Sequence, residues 1–184
     1  RVFVNKKECK IYGNGIDGYK LKNNITINAQ NSGTLGRLIL GLLVNSSKPI
    51  NLVGDKSLSK RDFSRVSYPL SKFGAKFKLR NKKFLPLKLY GSSNLKPIKY
   101  NENKGSAQCK SSIIFAAMRT NGTTIIKAKK SRNHTELFLK YLNLPIKIIR
   151  KKNYDLIKIT GEKQFRSFKY LIPGDISSSA FFII

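Results

Sequence analysis

Acidic residues are scarce in this chain: 9 Asp and Glu stand against 37 Lys and Arg, a formal charge of +28 over 184 residues. Such an imbalance predicts anionic partners, either phosphorylated small molecules or nucleic acid. Histidine occurs once, at His134, which excludes a centre built from several histidines. The two cysteines, Cys9 and Cys109, lie far apart, with neither metal-ligand spacing nor a disulfide framework. No metal and no cofactor is expected, and a reducing, cytoplasmic setting fits. There is no apolar run long enough to span a bilayer and no signal peptide, so no membrane partner is expected.

A block of five basic residues is lacking too. The longest clusters are Lys6-Lys7, Lys82-Lys83, Lys129-Lys130 and Arg150-Lys151-Lys152. No basic motif interleaved with aromatics, of the kind that binds RNA, is present. The charge therefore reads as background on a chain rich in Lys, Ile and Asn. A non-catalytic, nucleic-acid-binding module is the alternative from a different functional class. The chain begins at Arg1 and ends within an apolar run that neither Gly nor Pro stops. The expectation is a fragment of a longer protein, long enough for most of one domain.

What is present is a repeat. Gly33-Thr34-Leu35-Gly36-Arg37 opens an apolar helical run, and Ser106-Ala107-Gln108-Cys109-Lys110-Ser111 opens another 73 residues later. A third start follows after a further 71 residues, at Ser177-Ser178-Ser179-Ala180. Each places small and polar residues ahead of a helix. That arrangement presents free backbone N–H groups and the positive dipole end to an anion. A period of this length implies stacked supersecondary units.

Between the starts, the pattern predicts an N-terminal strand-like segment over residues 1–12 and a loop at Gly13, Gly15 and Gly18. A strand at Ile25–Ile27 follows, then a helix over 34–43 capped by Ser32 or Thr34. A strand at 49–53, an amphipathic helix over 61–73 stopped by Gly74, and strands at 76–79, 86–90 and 97–100 complete a unit. The order returns as a helix over 106–118, a strand at 123–128, a helix over 135–142 and strands at 146–149 and 156–160. A further strand is expected at 168–172, with Pro173-Gly174-Asp175 turning into the third start. The second helices are in register as well, since Arg61 and Arg132 are 71 residues apart.

Five segments together carry a resemblance: Asn31-Ser32-Gly33-Thr34 with Arg37; Gly54-Asp55 with Lys60-Arg61; Ser106-Ala107-Gln108 with Lys110-Ser111; Ser131-Arg132-Asn133-His134-Thr135-Glu136; and Pro173-Gly174-Asp175-Ile176-Ser177-Ser178. In this order they resemble the 5-enolpyruvylshikimate-3-phosphate (EPSP) synthase family, from about Gly13 to Ile184 and closest to the branch with Ser-Ala-Gln in its central motif. The resemblance implies an α/β fold, the inverse α/β barrel of repeated βαβαββ units. Repeats would span about 13–101 and 102–172, within one domain over 1–175. Residues 176–184 would start the next repeat, and the second domain would be missing. The implied reaction is transfer of the carboxyvinyl group of phosphoenolpyruvate to the 5-hydroxyl of shikimate 3-phosphate. It releases phosphate and needs no metal. A sister reading, UDP-N-acetylglucosamine enolpyruvyl transferase, is disfavoured by the Ser-Ala-Gln and Ser-Arg-Asn-His-Thr-Glu segments.

By the same resemblance, Gly33, Thr34, Arg61 and Gln108 would meet phosphoenolpyruvate, in the pocket that also takes glyphosate. Ser106, Ala107, Gln108, Ser131 and Arg132 would hold shikimate 3-phosphate, with Asn31 and Arg37 in support. The chemistry suits the residue types. A glycine lets backbone approach an anion, a guanidinium forks onto two oxygens, and an amide offers donor and acceptor on one group. His134 sits where a helix begins and is read as a polar first-turn residue, not a base. No carboxylate matches the family's acid/base positions. The expectation is therefore no catalytic residue in this stretch and no turnover from it alone.

Overall fold

A computed structural model of the chain describes residues 1–16, 18, 25–161 and 165–174. The expected third helix start over 177–184, and Asp175 before it, lie outside the described residues.

Two short strands, β1 (Val2–Val4) and β2 (Cys9–Ile11), form an antiparallel hairpin where the sequence suggested one extended segment. Asn5 is the reason. Its Oδ1 accepts from the amides of Lys7 and Glu8, each at 2.8 Å, and turns the chain back on itself.

Two units with the same order of strands and helices follow, the first with an added 3-10 turn. The first is β3 (Ile25–Asn28), α1 (Gly33–Leu42), β4 (Ile50–Val53), a 3-10 turn (Leu58–Lys60), α2 (Ser64–Ser71), β5 (Lys76–Arg80) and β6 (Phe84–Tyr90). The second is β7 (Lys99–Glu102), α3 (Ala107–Ala117), β8 (Thr123–Lys129), α4 (His134–Tyr141), β9 (Ile146–Arg150) and β10 (Tyr154–Thr160). The sheets run β3-β4-β6-β5 and β7-β8-β10-β9. In each, the first pair is parallel, as the intervening helix requires, and the others are antiparallel. The strand after Pro97, which the sequence grouped with the first unit, pairs with β8 and opens the second sheet.

Two expected elements differ. The second helix begins at Ser64, not Arg61. Asp62 Oδ1 accepts from both the amide and the hydroxyl of Ser64, at 2.8 and 2.5 Å, so the chain enters the helix only after it. Arg61 stays extended, at φ −82° and ψ 148°. The apolar face is as read, since Phe63, Val66, Leu70 and Phe73 are all fully buried. The strand expected at 168–172 does not form a ladder. Phe168 and Tyr170 instead lay their rings edge-on against Phe138, at 5.4 and 5.0 Å between centroids, and Tyr141 Oη donates to the Lys169 carbonyl at 3.0 Å.

The helices of the two units pack on one another, α1 against α3 and α2 against α3, inside one continuous apolar core. Of the 11 residues of α3 all but Ala107, Gln108 and Phe115 are buried, which fits its position between neighbours on several sides. The closest approach is at Gly41. A Cβ there would run into the Ser112 carbonyl oxygen, with the carbonyl carbon and Oγ each at 2.8 Å. This glycine lets two backbones touch and brings the starts of α1 and α3 side by side.

Candidate functional site

The two central helices begin in the same way. Ser32 Oγ accepts from the Leu35 amide at 3.1 Å, and Ser106 Oγ from the Cys109 amide at 3.2 Å. Each serine satisfies the third amide of its helix, leaving the first two, at Gly33 and Thr34 and at Ala107 and Gln108, without an intrahelical partner. The loop into α3 is held from behind by Glu102, which is 2% exposed. Its carboxylate accepts from the amides of Lys104, Gly105 and Ser106 at 3.0–3.3 Å. The sequence reading passed over Glu102, whose only signal was a carboxylate upstream of a Gly-Ser turn.

The two starts are joined through Gln108. Its Nε2 donates to Thr34 Oγ1 at 2.8 Å, and its Oε1 accepts from Arg37 Nη1 at 2.6 Å. Ser112 Oγ adds a third link, donating to the Arg37 carbonyl at 2.9 Å. Arg37 lies with its guanidinium 5.4 Å from the centre of the Phe63 ring. It reaches back from the second turn of α1 to the front of the site.

Gly33 faces two guanidiniums. A Cβ built on it would sit 3.1 Å from Arg61 Nη1 and 3.2 Å from Arg37 Nη1. Arg61 is further tethered to Asn31 Oδ1 at 3.3 Å. Burial lowers the Arg37 pKa below the ordinary guanidinium value, and the charges of Arg61 and Arg65 push the same way; Asp62 and Cys109 oppose them. The group remains a cation near neutrality. The guanidiniums of Arg37 and Arg61 are brought close together in front of Gly33. Such a cluster is stabilised by a bound anion. Asp62 is held below the usual carboxylate range. Burial works against this, but the Ser64 hydroxyl and amide, then Lys83 and Arg65, outweigh it.

Asn31, Gly33, Thr34, Arg37, Arg61, Ser106, Ala107 and Gln108 thus gather at the paired helix starts. Ser131 and Arg132 lie on the loop between β8 and α4. Gly105, in the loop before Ser106, is their neighbour: a Cβ on it would stand 3.5 Å from the Lys130 carbonyl oxygen. The Ser131 hydroxyl is buried and finds no partner among the described residues. Arg132 is exposed. His134 is the first residue of α4 and is exposed, a helix-start position.

The remaining groups are structural. Asp55 Oδ1 accepts from the Leu58 amide at 2.7 Å, and Asp62 and Glu102 cap backbone as described. These three carboxylates are therefore engaged with backbone amides. Among the described residues, no group of His, Cys, Asp and Glu has the arrangement of a metal site, and no helix is long and apolar enough to cross a membrane. A cavity of about 260 Å³ lies at the opposite ends of α1 and α3, lined by Asn45, Asn94, Met118, Arg119 and Asn121 and apart from Arg37 and Arg61.

Comparison with known proteins agrees with this fold. The family model for EPSP synthase (3-phosphoshikimate 1-carboxyvinyltransferase) matches residues 2–184. A 3-phosphoshikimate 1-carboxyvinyltransferase of Caldicellulosiruptor bescii is 46% identical over 160 residues, 86% of this chain and 37% of the relative. One from Streptococcus agalactiae is 42% identical over 176 residues, 95% of this chain and 40% of the relative. A solved structure of EPSP synthase from Acinetobacter baumannii superposes with a TM-score of 0.86 at 32% identity, covering 100% of this chain and 41% of that one. The chain spans about two fifths of the length of the relatives it matches.

Proposed function

The chain belongs to the EPSP synthase family, and from that premise we propose that it forms most of one domain of a 3-phosphoshikimate 1-carboxyvinyltransferase and contributes the anion-binding wall of its active site. The reaction joins the 5-hydroxyl of shikimate 3-phosphate to the carboxyvinyl group of phosphoenolpyruvate and releases phosphate. Both substrates are multiply charged anions. The wall's task is to hold their charges and to fix the hydroxyl against the double bond, where proximity lowers the barrier.

One observation carries this reading. Arg37 and Arg61 converge on Gly33, while Gln108 ties the start of α1 to the start of α3. In this proposal Gly33 and Thr34 offer backbone N–H groups to phosphoenolpyruvate, and Arg61 forks onto its oxygens. Arg37 and Asn31 hold Gln108 and Arg61 in place. Ser106, Ala107, Ser131 and Arg132 grip the shikimate phosphate, and Gln108 stands between the substrates. The buried Ser131 hydroxyl, with no partner among the described residues, is a group suited to a phosphate oxygen. A reducing compartment suits the two free thiols.

Proton transfer would come from outside this stretch, because the carboxylates near the site already cap backbone or pair with cations. The test is calorimetric titration of shikimate 3-phosphate at two salt concentrations, with shikimate and inorganic phosphate as controls. Saturable binding that needs ring and phosphate together, and is lost in Gln108→Ala, is expected. Equal response to phosphate alone, falling steeply with salt, would overturn the reading in favour of unspecific anion or nucleic-acid binding. No turnover is expected from the chain alone; measurable product would refute that part.

A further inference from the structure

Behind the site lies a contact that the proposed chemistry does not use. Lys110, in the first turns of α3, is fully buried, and its Nζ is 2.6 Å from Oε1 of Glu136, in the first turn of α4 and 2% exposed. The pair is close but not aligned as a hydrogen bond, and Glu136 Oε2 meets no donor among the described residues. The adjacent residues repeat the contact, with Ser111 Oγ and Thr135 Oγ1 at 2.7 Å.

A buried ion pair with unsatisfied atoms is a poor source of stability. Desolvation consumes most of the attraction, and apolar residues of similar size commonly do as well. Lys110 is also badly placed for its own helix, since it puts a cation near the positive end of α3. What the contact does achieve is position. Residue 110 comes two positions after Gln108, and residue 135 three positions after Arg132.

We propose that Lys110 and Glu136 are positioning residues: with Ser111 and Thr135 they clamp the start of α4 to the start of α3, so that two separate loops form one phosphate grip. The inference rests on the functional reading above for its ligand, though not for the clamp itself.

The test compares the chain with Lys110→Met/Glu136→Leu, which replaces the pair by apolar bulk, and with Glu136→Gln, which keeps the shape and removes the charge. Melting temperature, affinity for shikimate 3-phosphate and for inorganic phosphate, and amide hydrogen exchange are measured on each. The double variant should melt no lower than the parent. Its affinity for shikimate 3-phosphate should fall about tenfold, the loss of one charge-assisted contact. Exchange should quicken at residues 106–109 and 134–137 while α1 amides keep their protection. Should the double variant not fold, Glu136→Gln, which melts lower because Lys110 loses its counter-charge, must show the same loss of affinity and the same quickened exchange at residues 106–109 and 134–137.

Unchanged affinity in a parent that does bind, or unchanged exchange at both helix starts, would overturn the clamp. If the parent itself shows no preference for shikimate 3-phosphate over phosphate, the functional reading fails, and the exchange comparison alone then decides the clamp.

Discussion

Gly41→Ala sets two physical effects against each other. Helix propensity favours alanine over glycine by about 1 kcal/mol in a helix interior. The structure predicts the opposite sign. The new Cβ would meet the Ser112 carbonyl group, with its carbon and the Oγ at 2.8 Å where an ordinary contact begins at 3.4 Å. Neither neighbour is the free end of a flexible side chain, so α3 must retreat from α1 by at least the difference. Overpacking of this kind costs about 1–3 kcal/mol. The same retreat stretches the hydrogen bonds Ser112–Arg37, Arg37–Gln108 and Gln108–Thr34, now 2.6–2.9 Å, and each is worth about 1 kcal/mol. The net prediction is a loss of about 2–4 kcal/mol, or a melting temperature lower by roughly 5–15 °C for a chain of this size. Urea and thermal unfolding followed by circular dichroism read it directly. Gly36→Ala is the internal control, since its Cβ would face the Phe63 ring at 3.2 Å, a side chain that can yield. A Gly41→Ala protein as stable as the parent would refute the close approach of α1 and α3.

Gly33→Ala should behave differently. Its methyl presses on the guanidinium ends of Arg61 and Arg37, which can swing aside, and meets Leu58 Cδ1 at an ordinary 3.7 Å, so stability should change by less than about 1 kcal/mol while anion binding weakens. Unchanged binding of phosphoenolpyruvate would count against the site. Cys109 is pushed up to about 12 by burial first and then by Glu102, against Arg37 and Arg65. At pH 8 iodoacetamide should alkylate exposed Cys9 and spare Cys109, whose thiolate fraction is about a thousandfold smaller than that of a free thiol. Mass spectrometry showing equal labelling would contradict the burial. Asp62 has a folded pKa below its unfolded value, so its contribution is present above the ordinary carboxylate range and is lost as pH falls through the folded pKa. The stability difference between the parent and Asp62→Asn should therefore shrink below about pH 4; a difference that stays constant down to pH 2 would refute the assignment.

The helix starts were legible because Ser32 and Ser106 announce themselves locally: a capping hydroxyl, small residues, then an apolar run. The start of α2 was not, because Arg61 and Asp62 both look like first-turn residues, and only the Asp62–Ser64 hydrogen bonds show which side of the boundary they occupy. Parallel pairing of β7 with β8 spans a whole helix, so nothing near Pro97 reports it. The stretch from Phe168 has strand-like composition but satisfies its rings on α4, a choice that composition cannot reveal. At the site, Gly33, Arg61 and Gln108 were named through the resemblance of their motifs to the EPSP synthase family. The motifs could not show that Gln108 already holds Thr34 and Arg37, nor that Lys110 and Glu136 meet, since a charge within a helical run does not name its partner on another helix.

Thr34 and Gln108 are each the second residue of their helix, so the hydrogen bond between them links equivalent positions of two copies of one unit. A single unit contains one helix start; the pairing of two starts exists only at the seam. The copies have also stopped being interchangeable there, with a short hydroxyl on one side and a long amide on the other. Substitution can therefore tune one wall of the seam without copying the change to the other, and a symmetric duplicate becomes a surface with two unlike walls.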